Sequence, residues 1–392
     1  METTLLAVLQ LGCLAALVRE RWTAAGLLAG TACGVRVEGV FLAAAVVAAA
    51  WWRGGPVLRT AVATAVVPVA LYGWAWGYFG DPVANSTRAK RIVYTPPAGA
   101  ALGVSADALL EVLPLVPGAT GAVRWVAFGA WMALAAAGTR RLARAAPAAT
   151  WVAAGVAATI GFYAVLNPFM FPWYPCTFLP LATVLALLGL AGVAGRVPGL
   201  RRAPYAAALA GAVLLAAAPL RAAWWPFVPP ESPRFPYQHP NAVANARVYR
   251  YAEIGRWLAA RARPTDRLCL AEIGATGWYW PGVVLDGVGL VSPEILPYHP
   301  LPPGTRRTST TGSIPPEAVR DFRPELVVAL ELFAEGLLHD PWFRAEYAPI
   351  ARWPWFAGPA AWDGLPGRLW GSAWVLGFRR KDVPWPAEGP AP

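Results

Sequence analysis

In this chain of 392 residues, 57% are hydrophobic and only 14% charged, whereas a soluble domain carries about 25% charged residues. The formal charge of +11 by itself would fit a nucleic-acid partner. The bases, however, fall in short loops between apolar stretches rather than in a stripe with base-stacking aromatics, so nucleic acid is excluded as a partner.

The first apolar stretch is Thr3–Val18, stopped by Arg19-Glu20-Arg21. Ala24–Val35 and Gly39–Trp52 follow, separated by Arg36-Val37-Glu38. At 1.5 Å per residue each covers only about 20 Å, short of a comfortable crossing. Val57–Phe79 is a full span, followed by a polar loop from Gly80 to about Gly121. Ala122–Gly138, Ala148–Leu166, Cys176–Ala194 and Tyr205–Leu220 complete a bundle of about eight helices. Apolar segments in lipid must satisfy their backbone internally, which makes them helical.

The expected domains are a transmembrane helical domain over 1–221, a Pro-rich linker over 222–240 and an α/β domain over 241–392. In the last, Ala242–Arg263 has helical apolar spacing, and helices are expected at Pro316–Asp321 and near Leu332–Leu338. Arg267–Ala271, Val283–Leu285, Leu326–Leu330 and Trp374–Phe378 are expected to be strands. No glycine-rich phosphate loop opens any of these helices.

If the helices alternate, the sets Arg19/Arg21, Arg53/Arg59, Arg140/Arg141/Arg144 and Arg196/Arg201/Arg202 share one side, which the positive-inside rule makes cytoplasmic. The expected location is therefore the plasma membrane, multi-pass, with the C-terminal α/β domain extracytoplasmic. Arg88, Lys90, Arg91 and Arg124 run against the rule and ask for a reason to be outside. The four cysteines contain no CxxC pair and the three histidines are far apart, so no disulfide framework, metal site or cofactor is expected.

The residues that could carry chemistry are few. Arg36 and Glu38 interrupt apolar sequence, where ionisable groups face a cavity or a partner. They read equally well as a phosphate contact or as an Arg–Glu pair capping a helical hairpin. The segment Gly80–Arg91 carries Asn85, Arg88 and Lys90; such cations suit phosphate, and they suit anionic headgroups without specificity just as well. Asn85-Ser86-Thr87 also matches the N-glycosylation tripeptide. Trp173 and Tyr174 lie in an aromatic turn, Asn167–Pro175, suited first to interface anchoring and alternatively to stacking on a sugar or contacting a lipid chain. Glu272 and Asp286 follow expected strands, where acids serve in catalysis or, more commonly, cap turns.

Several short motifs, taken in order, resemble the polytopic GT-C superfamily of glycosyltransferases, closest to bacterial members similar to arabinofuranosyltransferases. They are Met1-Glu2-Thr3 leading into a helix, Gly34-Val35-Arg36-Val37-Glu38-Gly39, and Phe79-Gly80-Asp81-Pro82 with Asn85 and Ala89-Lys90. Further on come Pro172-Trp173-Tyr174, Ala271-Glu272-Ile273-Gly274-Ala275 and Gly289-Leu290-Val291-Ser292-Pro293-Glu294. The family usually has Thr-Arg-Pro-Glu-Gly where this chain has Val35-Arg36-Val37-Glu38-Gly39. Its acidic catalytic base lies in a first outer loop with no counterpart here, and its Met-Glu-Thr element is normally internal. The resemblance thus implies an N-terminally shortened chain without its base.

The implied function is transfer of a sugar from a polyprenyl-phosphate donor to a glycan or lipid acceptor of the cell envelope. Arg36, Glu38, Asn85, Arg88, Lys90, Trp173 and Tyr174 are the expected substrate-binding residues. The competing expectation is a non-catalytic membrane protein whose outer domain binds a glycan or a partner. A transporter is disfavoured, because no internal repeat and no second broken helix accompanies Arg36 and Glu38.

Overall fold

The computed structural model describes residues 2–94, 96, 98–111, 121–171, 173–196, 242–302, 313–355 and 372–386. The expected span Tyr205–Leu220 and the expected linker 222–240 lie outside the described residues. The chain forms two compact units, 1–83 with 97–221 and 84–96 with 222–392. The expected boundary near residue 221 therefore needs one correction: residues 84–96 join the second unit.

The helices of the first half are α1 (Glu2–Val18), α2 (Trp22–Val35), α3 (Gly39–Trp52), α4 (Val57–Phe79), α5 (Asn85–Val93), α6 (Ala100–Glu111), α7 (Gly121–Ala145), α8 (Trp151–Leu166) and α9 (Leu179–Ala194). All but α5 belong to the first, helical unit. Two expectations change here. The stretch read as a loop from Gly80 contains α5 and α6, and Arg140, Arg141 and Arg144 lie inside α7 rather than beyond its end. Among the described residues, Val57–Phe79 and Pro147–Leu166 are long and apolar enough to cross a membrane, while the other apolar helices are shorter.

The helical unit is closed by glycines. Pro68 lies inside α4 and has no N–H to bond the Thr64 carbonyl one turn earlier. That carbonyl meets Gly30 of α2, where a Cβ would fall 2.1 Å from Thr64 O. Gly26 and Gly34 flank it at four-residue spacing along the same contact with α4, the small-residue pattern that lets helix backbones touch. Helices α7 and α9 repeat the device reciprocally: a Cβ on Gly138 would lie 1.7 Å from Leu185 O, and one on Gly189 would lie 2.0 Å from Leu134 O. The outer side of α4 is apolar and open, with Leu58 78% and Val69 68% exposed.

The ends of this unit differ. Arg53 pairs with Glu20 at 3.1 Å, joining the α1–α2 turn to the end of α3. Trp52 meets Trp151 edge-on at 6.3 Å, so α8 starts at that same end, just beyond the arginines of α7. Arg19, Arg21, Arg53, Arg140, Arg141 and Arg144 thus gather at one end. Because α2 and α3 pack as an antiparallel hairpin, Arg36 and Glu38 are its turn and sit at the other end. The hairpin reading of this pair therefore describes its backbone.

The second, sheet unit contains α5, then α10 (Ala242–Ala259), β1 (Leu268–Leu270), α11 (Gly274–Tyr279), β2 (Val284–Asp286), α12 (Pro316–Phe322), β3 (Leu326–Leu330), α13 (Glu331–His339), α14 (Pro341–Glu346), β4 (Tyr347–Pro354) and β5 (Trp374–Arg380). Its five strands are ordered β2-β1-β3-β5-β4. Strand β1 runs parallel to β2 and β3, and β5 runs antiparallel to β3 and β4, so the sheet is mixed. Strand β4 is the one sequence patterning misses. It carries Pro349 and Pro354, and its place at the sheet edge, with a bulge at Pro349/Ala351, is where proline is tolerated. The core is built from Ile254, Leu258, β1, β3, Phe343, Trp353 and Trp355, and it also takes in Val93 of α5.

Candidate functional site

Four helical-unit residues singled out from sequence come together at the α2–α3 turn and the α8–α9 connection. The Arg36 guanidinium donates to Glu38 Oε1 at 3.0 Å, with the two side chains 11% and 8% exposed. The Tyr163 hydroxyl, from the last turn of α8, donates to the same oxygen at 2.8 Å. The Tyr163 and Thr177 hydroxyls lie 3.2 Å apart; the single Thr177 proton serves either Tyr163 or the Tyr174 carbonyl at 2.9 Å, and Gln10 of α1 donates to the Thr177 carbonyl at 2.7 Å. The Arg36 guanidinium lies 4.5 Å from the centre of the Tyr174 ring. A tyrosine hydroxyl on Glu38 Oε1 and a cation–π contact under Arg36 support this buried pair, although the buried Arg36 Nε makes no hydrogen bond.

An aromatic ledge adjoins the network. Trp173 stacks on Phe171 with ring centres 4.8 Å apart and planes at 14°. Tyr174 stacks with Tyr163 at 6.2 Å, and Phe169 meets Phe171 edge-on at 4.9 Å. Tyr174 is buried, whereas Trp173 is 44% exposed. Asn167 ends α8 in the left-handed conformation and accepts from the Ala101 N–H at 3.0 Å, which ties the start of α6 to the same end.

Asn85, Arg88 and Lys90 belong to the sheet unit, so the substrate-binding set expected from sequence is divided between two units. The Asn85 side-chain amide donates to the carbonyls of Gly289 and Leu290 at 2.7 and 3.1 Å. Ala89 and Val93 are buried, while Arg88 is exposed and Lys90 half-buried. Two motifs 200 residues apart, Asn85 and Gly289–Glu294, are thus in direct contact. An Asn85 amide committed to two carbonyls is not displayed as a glycosylation acceptor would be.

The two acids after strands are engaged structurally. Asp286 is fully buried and accepts from the N–H groups of Val288 at 2.9 Å and Val291 at 3.0 Å, capping the turn that carries Gly289 and Leu290. Burial pushes its carboxyl above the usual range in spite of those donors. Glu272 is held by the Tyr251 hydroxyl at 2.5 Å and by Arg247 at 2.9 Å. Its pKa is also raised, because burial outweighs Arg247 and Tyr251. No group of three or more His, Cys, Asp or Glu side chains able to hold a metal occurs among the described residues.

Sequence reasoning missed Gln10, Tyr163 and Thr177. The available signal was their isolation, since each is a hydrogen-bonding side chain in an otherwise apolar stretch.

A family model described as a domain of unknown function (DUF8728) matches residues 241–376, a part of the chain that begins next to α10 and leaves out α5. No curated protein and no solved structure matches the chain.

Proposed function

We propose that the chain is a polytopic membrane glycosyltransferase of GT-C type, moving a sugar from a polyprenyl-phosphate donor to a cell-envelope acceptor. The helical unit would lie in the plasma membrane with its arginine-bearing end cytoplasmic, and the sheet unit would be extracytoplasmic. The observation that carries the reading is the buried Arg36–Glu38–Tyr163–Thr177 network beside the Phe171–Trp173 ledge, at the end of the helical unit away from the arginines. Glycine-mediated helix contacts and the open apolar side of α4 support a lipid setting, since an apolar face of that length is rare in water.

In the proposed reaction an acceptor hydroxyl attacks the anomeric carbon and gives its proton to water, no carboxylate of this chain being assigned as the base. The bond from that carbon to the phosphate oxygen breaks, and polyprenyl phosphate departs. Arg36, Arg88 and Lys90 are the cations that the resemblance offers for the departing phosphate.

The test is release of polyprenyl phosphate from a radiolabelled polyprenyl-phosphate sugar by the full chain in liposomes. Turnover that falls about 100-fold or more in the Arg88→Ala/Lys90→Ala double variant supports the reading. A folded wild-type chain that turns over none of a panel of such donors contradicts it. The second reading, a non-catalytic glycan- or partner-binding membrane protein, is favoured by the structural engagement of Glu272 and Asp286. It expects binding without release.

A further inference from the structure

Helix α5 has two unlike faces. Ala89 and Val93 are buried, and Val93 belongs to the core of the sheet unit. Thr87, Arg88 and Arg91, at three- and four-residue spacing, form an exposed face on the opposite side of the helix. Asn85 fixes which way that face points, because its amide is bonded to the carbonyls of Gly289 and Leu290, and the turn Pro293–Tyr298 packs on the helix. The helix carries no acid, and the turn packed on it carries one, Glu294, so this surface is basic. A basic surface takes an anionic partner.

The chain itself decides which anionic partner is in reach. Among the described residues α4 is one of two helices long and apolar enough to cross a membrane. It ends in Trp74, Trp76, Tyr78 and Phe79, all exposed, with Trp74 stacked on Tyr78 at 5.6 Å and 16°. Exposed Trp and Tyr at the end of a span mark the level of the lipid headgroups. Only Gly80–Ala84 separate α4 from α5, and so short a link reaches about 20 Å at most. In a bilayer, α5 therefore starts close to the headgroups. Arginine suits them, because its planar fork donates paired hydrogen bonds to phosphate oxygens.

We propose that the Arg88/Arg91 face of α5 docks the sheet unit on anionic phospholipid headgroups of the bilayer that α4 crosses. This rests on the lipid setting proposed for the helical unit and not on sugar transfer. It gives these arginines a reason to lie on the side that the positive-inside rule disfavours. A departing polyprenyl phosphate would reach Arg88 in the same headgroup plane, so the two assignments are compatible.

The experiment follows modification of arginines by phenylglyoxal, mapped by mass spectrometry, on the full chain in nanodiscs. The discs hold phosphatidylcholine alone or phosphatidylcholine with phosphatidylglycerol. The expected result is that Arg88 and Arg91 react about fivefold or more slowly when phosphatidylglycerol is present at low salt. At high salt they regain the rate of the neutral discs. Arg263 and Arg352, exposed on other elements of the sheet unit, react alike in both discs. Arg88→Gln, at an exposed position that spares the fold, reduces the protection of Arg91. Equal rates of Arg88 and Arg91 in the two discs overturn the docking, as does equal protection of Arg263 and Arg352. Protection by inorganic phosphate in neutral discs marks a small-anion site and overturns it too. Labelling of α4 by a carbene probe dissolved in the same discs is scored separately. A labelled α4 with unprotected arginines removes the docking alone, and an unlabelled α4 removes the lipid setting on which it rests.

Discussion

In the helical unit backbones meet directly at Gly30/Thr64 and Gly138/Gly189, and aliphatic side chains of α4 face outward. In the sheet unit large side chains fill the middle, Trp353, Trp355 and Phe343 being all but fully buried, and ion pairs such as Arg320–Asp340 and Arg323–Glu346 lie at the surface. The second pattern is what burial of apolar area produces in water. The first is what remains when that driving force is weak and close backbone approach must supply cohesion instead. One polypeptide thus carries two packing rules, and the surroundings proposed for them are lipid for the first and water for the second.

The largest expected effect comes from filling a helix contact. Gly189→Leu forces a side chain into the Leu134 carbonyl and should cost about 3 kcal/mol or more, read as loss of monodisperse protein after detergent extraction. Tolerance of that change would break the contrast between the units. Next is the partnership of α5 with the sheet unit. Asn85→Ala removes two hydrogen bonds and Val93→Ala a fully buried side chain, at about 1–3 kcal/mol each. Hydrogen exchange should then quicken in β1 and β3 while α7 and α9 stay protected. Faster exchange in the helical unit alone would place α5 in the wrong core.

A smaller effect separates two carboxylates of the sheet unit by pH. The folded Glu272 carboxyl keeps its proton to a higher pH than an unfolded one, so its contribution to stability is greatest in acid and declines as pH rises through the carboxylate range. Glu325 is the opposite case. Burial would raise it, but the Arg267 N–H, with Arg267 and Arg380, holds it below its ordinary value, so its contribution is present at neutral pH and lost as pH falls through its folded pKa. Glu272→Gln should remove a falling limb, and Glu325→Gln a rising one, from the pH dependence of intrinsic-rate-corrected exchange in β1. Identical curves would refute both assignments. The smallest effect is at the exposed Glu20–Arg53 pair, where Glu20→Ala should change stability by no more than about 0.5 kcal/mol.

Much of this was readable in advance, for reasons that also explain the failures. Runs such as Val57–Phe79 and the strands Leu326–Leu330 and Trp374–Arg380 declare themselves through continuous apolarity or β-branched content. The glycine row Gly26, Gly30 and Gly34 was equally visible, but its partner, the carbonyl freed by Pro68, is a tertiary fact. Helix α5 was read as loop because its apolar residues are only Ala89, Ile92 and Val93 among bases and hydroxyls, too few to signal a core far along the chain. At the candidate site, Arg36, Glu38, Trp173 and Tyr174 stood out as charge or aromaticity in apolar surroundings. Thr177 did not, because a threonine hydroxyl commonly bonds its own local backbone, and Tyr163 did not, because a lone tyrosine in an apolar helix reads as an aromatic core residue.

The central claim is that the helical unit is solvated by lipid and the sheet unit by water. A carbene photoprobe dissolved in the bilayer, with the modified residues mapped by mass spectrometry, tests it most directly. The account predicts labelling along the open side of α4, at Leu58, Val62, Val66 and Val69, and none on β1, β3 or α10. Equal labelling of both units, or an unlabelled α4 in membrane-reconstituted protein, would contradict it.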